Sequence, residues 1–559
     1  MNANSKKIGT RILGIAAALL MGVWAVPANA NIPVEEREAL LALYQSTSGA
    51  SWKSSSGWLG AWGTERNWYG VVCDTSNSTV LQINLHGNGL TGTLPEEMGN
   101  LTNLQCLTLN GNAITGTLPA SLGKLAKLRK LDLSDNQVED GLGDWMSGMS
   151  RLTILGLKNN HIEGKLPAGL ARCAYLTWMD LSSNRISGSI PPEFGYMPIL
   201  QKLDLSHNLL DSAIPADLSH LRNLYILLVN DNALDGAIPF ELGDLGHLQW
   251  MDLSNNRLSG SIPVELARIP SLKTLSLGHN KLTGPVPAQF GDIATLQVLD
   301  LSGNALTGTL PEHLFIAPLT VLDLSSNQIS GAIPQSIGML THITTLSLQH
   351  NSLSGTLPAS IGNLVALETL HLCDNALEGT IPDEIGNLSN LKFICLGQNK
   401  MAGPLTPMIM ACAKLESVDL RYNGFTVDDP ALVQFVSDRQ PEGQPWTLNQ
   451  TVPPDAPEVR GSTSTGMTLS WTPITFVEGP GYYEVYGNSN PREKFLPLGR
   501  TASKSDSGIV LTGLTPGTTY TFVVRAVSLA NGENQNTIIS EFSIRCSGTT
   551  LDPPIIGRR

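Results

Sequence analysis

The sequence predicts an α/β solenoid of stacked repeats with a parallel sheet, followed by a smaller all-β sandwich. The first observation behind this is a fixed period. An asparagine closes a Leu-x-Leu-x-x-Asn block at 88, 112, 136, 160, 184, 208, 232, 256, 280, 304, 327, 351, 375, 399 and 423; thirteen of the fourteen intervals are 24 residues and one, Asn304 to Asn327, is 23. Such regularity marks repeats that bury their apolar side only by stacking on neighbours. The second is the alternation within each block, as in Leu275-Ser276-Leu277, which puts two leucines on one side of a short strand and the intervening residues on the other. The third is a change of period near Asp455, after which 467–471, 482–486 and 519–527 alternate as strands.

Each block has a physical reason. An asparagine can satisfy backbone groups where the chain leaves the strand, which a hydrophobe cannot. The Leu-x-Gly-x-Ile/Leu-Pro segment that follows runs extended, because proline restrains the residue before it and glycine permits a left-handed turn. In this wording residues 32–455 resemble the plant-type leucine-rich repeats of polygalacturonase-inhibiting proteins and receptor-like kinase ectodomains. The resemblance implies a right-handed superhelix with a parallel concave sheet, an inner ladder of asparagines, and partners bound on the concave face. Two blocks depart from the pattern, and each predicts local irregularity on the convex side. After Asn136, Asp140 and Gly143 stand where glycine and proline are usual; after Asn304 the block is one residue short around 313–318.

The ends are capped differently. Residues 33–44 begin with proline, carry acids in the first turn and have helical apolar spacing. They lead through Trp52, Trp58 and Trp62 to Trp68 and Cys73, resembling the amino-terminal cap of plant-type repeats. That family pairs a cysteine two places before the tryptophan, and Arg66 stands there, so Cys73 is expected to be free or buried. At the other end 430–436 reads as a short capping helix, and prolines 453, 454 and 457 as a stiff linker. Beyond it Leu514-Thr515-Pro516-Gly517-Thr518-Thr519-Tyr520 resembles the tyrosine corner of a fibronectin type III sandwich, with Trp471 as its core tryptophan. The expected organisation is an export signal at 1–30, an amino-terminal cap at 31–80, about fifteen repeats at 81–425, a cap and linker at 426–454, the sandwich at 455–550 and a tail at 551–559.

Composition narrows the function. Residues 1–30 hold Lys6, Lys7 and Arg11, an apolar stretch and a small-x-small site at Ala28-Asn29-Ala30, which reads as a secretory signal with the mature chain starting at Asn31. The expected location is extracellular or cell-surface, or periplasmic if the source is bacterial. No later segment is long and apolar enough to span a bilayer. Losing three positive charges takes the net charge from −13 to −16. That field is wrong for general binding of nucleic acid or anionic lipid. The seven cysteines are too few and scattered for a disulfide framework, and Cys173 and Cys412 read as small buried hydrophobes.

Candidate contact residues lie at the variable strand positions. Six places before the asparagine stand Ile154, Trp178, Lys202, Ile226 and Trp250, and four places before it aspartate recurs, including Asp180, Asp204 and Asp252. Exposed aromatics concentrated in this way mark a contact patch; packing on neighbouring strands is the alternative. The recurring aspartate is equally the commonest wording of the repeat. His371, Cys373 and Cys395 fall close together and could hold a soft metal, although three such groups also arise by coincidence. There is no Gly-x-Ser-x-Gly elbow, His-Glu-x-x-His or phosphate loop, and no carboxylate pair stands apart from the repeat, so neither catalysis nor a cofactor is expected. The reading is a non-enzymatic recognition protein for a protein or peptide, with polysaccharide binding or a structural adhesion role as alternatives.

Overall fold

The computed structural model describes residues 31–441, 445–490, 493–532 and 534–552. The proposed signal at 1–30 and most of the tail lie outside them. The chain divides into two compact units, one of 1–139 with 148–152 and the other of 140–147 with 153–559. No described helix is long and apolar enough to cross a membrane.

In the first unit the helix Val34–Ser46 opens the chain. Its Leu40 and Leu43 are buried, as are Trp52, Trp58 and Trp68, and Tyr44 stacks on Trp58 with ring centroids 5.8 Å apart. Two charges are buried here and both are satisfied. Glu36 accepts from Thr79 Oγ1 (2.6 Å) and Val80 N (2.7 Å), and Arg37 pairs with Glu65. Strand Val71–Cys73 runs antiparallel to Val80–Asn84, and the repeat strands Cys106–Thr108 and Lys130–Asp132 then continue in parallel. Cys73 is unpaired, and burial pushes its thiol up to about 11.

In the second unit every strand from Ile154–Gly156 to Ser417–Asp419 is parallel to its neighbours, pairing like position with like. The asparagines hold this register. Asn208 Nδ2 donates to Leu205 O of its own repeat (3.1 Å) and Leu181 O of the preceding one (3.0 Å), while its Oδ1 accepts Ile186 N (3.0 Å). Short 3₁₀ helices such as Ala216–His220 return the chain to the next strand. The short block does not disturb the sheet. Strand Val321–Asp323 stays in register with Val298–Asp300, and the missing residue is absorbed between the 3₁₀ helix Glu312–Ile316 and that strand. Nor does Asp140 distort its repeat: it adopts the positive φ (65°) that Gly164 and Gly188 supply in later repeats. A short polar side chain tolerates this region at a cost.

The repeats end on the helix Pro430–Ser437, capped by Asp429, and on the buried Trp446. The sandwich follows as two antiparallel sheets. One holds Glu458–Ser462, Gly466–Ser470 and Gly508–Thr512; the other holds Leu496–Arg500, Gly481–Asn488, Thr519–Ser528, Ile538–Ile539 and Cys546–Thr549. Trp471 lies in the core between them, and the Tyr520 hydroxyl accepts Thr515 N (3.2 Å), closing the corner expected from the sequence. Lys504 is buried; its ammonium donates to Glu478 O (2.6 Å) and lies 4.0 Å from the centroid of Phe476, a ring that also meets Tyr422 of the last repeat.

Two tests follow from these local conformations. Ser212 has φ 68° at the place where most repeats have glycine. Ser212→Gly relieves about 1–2 kcal/mol of strain against about 0.4–1 kcal/mol of added unfolded-chain entropy, so denaturant unfolding should show a gain of about 0.5 kcal/mol. Burial lowers the Lys504 pKa from 10.5 to about 8. Between those values the unfolded chain holds the extra proton, so sandwich stability rises with pH across that window. Melting at pH 7.5 and 9.5 should show this rise, and Lys504→Met should remove it.

Candidate functional site

Because each repeat strand has its middle residue buried among the leucines, the first and third residues point the other way and build one ordered surface. On it Ile154, Trp178, Lys202, Ile226 and Trp250 sit on successive strands, each paired with the next. Trp178 and Trp250 are 38% and 37% exposed, so both rings face away from the leucine interior. They are three strand spacings apart, about 14 Å.

Lys202 is held tightly between them. Its Nζ lies 2.8 Å from Asp180 Oδ2, 3.1 Å from Asp204 Oδ2 and 4.5 Å from the centroid of the Trp178 ring. The aspartates have a second task. Oδ1 of Asp180 accepts from Ser182 N (3.2 Å) and Oγ (2.7 Å), Asp204 does the same with Ser206, and Asp252 with Ser254. The recurring Asp-Leu-Ser thus closes the turn out of the strand, as short polar side chains do elsewhere. Asp204 is buried and committed on both oxygens, whereas Asp252 has only its Oδ1 engaged by Ser254. Burial pushes the Asp252 carboxyl up; Asp231 and Asp300 push the same way, and the Ser254 hydrogen bonds oppose them.

Reading only two positions per repeat missed exposed apolar residues that stand just before the strands. Tyr175, Ile199 and Tyr225 are also exposed, and the Tyr225 ring lies 6.1 Å from that of His247. Tyr225 stands seven places before its asparagine, and Tyr175 and Ile199 nine before theirs. Comparing those columns across the repeats would have found them.

The soft-ligand group keeps the strand register that its spacing predicts. His371 and Cys395 pair across neighbouring strands. Cys373 and Cys395 border a pocket of about 390 Å³ with His350, Asp374, Asp419 and Arg421, and His371 is not among its lining residues. The two thiols act on each other: Cys395 holds the Cys373 pKa down, and Cys373 together with burial pushes that of Cys395 up. All seven cysteines are free, and Cys173 and Cys412 are buried, with thiols pushed up to about 11 by that burial. Among the described residues no three His, Cys, Asp or Glu side chains converge as a metal site.

With this geometry in hand, family models place the chain. A leucine rich repeat model matches residues 79–138, 222–282, 246–306, 270–329, 294–353 and 341–401, and a second matches 175–197 and 200–221. The fibronectin type III domain matches 452–541. The chain is a leucine-rich repeat protein with a C-terminal fibronectin type III domain. No curated protein matches its sequence. Among solved structures, this leucine-rich repeat protein is similar to the plant peptide hormone receptor RGFR1 in complex with RGF2, at 29% identity and a TM-score of 0.61, over 66% of this chain and 62% of that one. It is also similar to the Arabidopsis receptor kinase HAESA in complex with the peptide hormone IDA and the co-receptor SERK1 (27%, TM-score 0.55, 73% of this chain and 76% of that one). A third is a leucine-rich repeat protein of Leptospira interrogans (28%, TM-score 0.53, 66% and 90%). The chain therefore spans less than two thirds of the length of the RGFR1 chain.

The clamp makes a stability prediction. Lys202→Met leaves two largely buried carboxylates without their cation and should cost about 2–3 kcal/mol in denaturant unfolding at pH 7.

Proposed function

We propose that this is a secreted or surface-exposed, non-catalytic recognition protein that binds a protein or peptide on the strand face of its repeats. The observation that carries the reading is the pair of exposed tryptophans, Trp178 and Trp250, held in register on a surface that also presents Ile154, Ile226 and the fixed charges of Lys202, Asp180, Asp204 and Asp252. Aromatic side chains on a rigid scaffold make strong contact centres, because little conformational freedom is lost when a partner covers them. Supporting it, the HAESA and RGFR1 structures are complexes with the peptide hormone IDA and with RGF2. Export rests on the signal-like residues 1–30.

The test is selection of binders from a displayed random-peptide library on the mature chain, with a glycan array run beside it. Selected peptides should lose at least about tenfold in affinity with Trp178→Ala or Trp250→Ala and none with Val365→Ala, which is exposed on a distant repeat. Glycan binding lost in the same tryptophan variants would favour the polysaccharide alternative. Affinities unchanged in both variants would move the site off this face.

A further inference from the structure

Two strands of the array carry the same three residues, Trp178-Met179-Asp180 and Trp250-Met251-Asp252, at the same position of their repeats. In each, the tryptophan is exposed to the same degree and the aspartate Oδ1 is held by the serine two places on. The copies differ in the strand that follows. Lys202-Leu203-Asp204 lies beside the first copy, and Thr274-Leu275-Ser276 lies in the same register beside the second.

The first copy shows what this arrangement holds. An ammonium rests 4.5 Å from the Trp178 centroid and is paired with Asp180 and Asp204. At the second copy Thr274 is short and uncharged. Among the described residues no lysine, arginine or histidine forms an ion pair with Asp252, and Lys273, the residue before Thr274, is exposed. The carboxylates of Asp231, itself 3.4 Å from His207, and of Asp300 push against the charge of Asp252. An indole face next to an uncompensated carboxylate, with further acids around it, has the chemistry to receive a cation.

We propose, building on the peptide-recognition reading, that Trp250 and Asp252 seat a lysine or arginine side chain of an extended peptide, in the place that Lys202 fills at Trp178. A peptide lying along the array covers the distance between the tryptophans, about 14 Å, with about four extended residues. The selected sequences should therefore carry a basic residue with an apolar one about four positions away, reaching Trp178, or about one to two positions away, reaching Ile226 on the adjoining strand.

The experiment pans a random dodecapeptide display library on the mature full chain and on two variants. Asp252→Asn removes the charge and keeps an acceptor for Ser254; Thr274→Lys supplies the cation from within the protein. The wild type should enrich lysine or arginine several-fold over the unselected library. Synthetic copies of the selected peptides should bind at least tenfold more weakly to either variant, and equally so when norleucine replaces their basic residue. Enrichment without basic residues, or affinities unchanged in both variants, overturns the cation seat and leaves peptide recognition standing. No enrichment of any sequence overturns both. The melting temperature of each variant should match the wild type, and should either variant fail this check, the other and the norleucine peptides decide the outcome.

Discussion

The structure depends on what one amide side chain does in each repeat. An asparagine at the strand exit closes its own turn by donating to a leucine carbonyl three residues back, and joins the preceding repeat by donating to a second carbonyl and accepting a backbone N–H. One such hydrogen bond is worth about 1 kcal/mol net. Leaving its buried partners unmet costs more, because they have no water to turn to. The ends of the series are finished by other means. Asn88 exchanges hydrogen bonds with the backbone of Ser54 in the amino-terminal cap. Beyond Asn423, Gln450 takes over, with its Oε1 accepting Phe425 N (3.0 Å) and its Nε2 donating to Leu420 O (3.0 Å). A longer amide thus completes the last repeat from outside the period.

This constraint is what makes the strand face a surface for recognition. Since like positions pair with like, the residue chosen at one column is set beside its counterparts at a fixed spacing. A tryptophan, a lysine and two aspartates spread over 178–204 of the chain then become a clamp a few ångströms across. The scaffold needs only the leucines and the asparagine, so the remaining strand positions can vary without disturbing it.

The sandwich is joined to the last repeats through polar contacts with the backbone and apolar ones at the cap. Asn536 Nδ2 donates to Asn375 O (2.6 Å) and Gln398 O (3.0 Å), and Thr451 Oγ1 donates to Ser528 Oγ (2.8 Å), while Phe476 meets Tyr422 of the last repeat. These contacts fix the domain beside the strand exits of the final repeats and leave the Trp178 to Trp250 row uncovered.

The architecture was legible in the chain because leucine spacing and a recurrent asparagine at a fixed period mark a stacked repeat, while the resemblance to plant-type repeats and to a fibronectin type III tyrosine corner supplied the curvature and the sandwich. The outward placement of Trp178 and Trp250 followed in the same way, since side chains alternate along a strand. What periodicity does not carry is the use made of each charge. Only the folded arrangement decided that Lys202 is committed to Asp180 and Asp204, that the recurring aspartates cap their own turns, and that Asp252 has no cation paired with it among the described residues, because those outcomes depend on which side chain stands on the next strand. It likewise decided that Cys373 and Cys395 line one pocket with Asp374, Asp419 and Arg421, and that Asp140 fits its repeat with positive φ, since local backbone bends and the reach of individual side chains leave no mark on a repeat pattern.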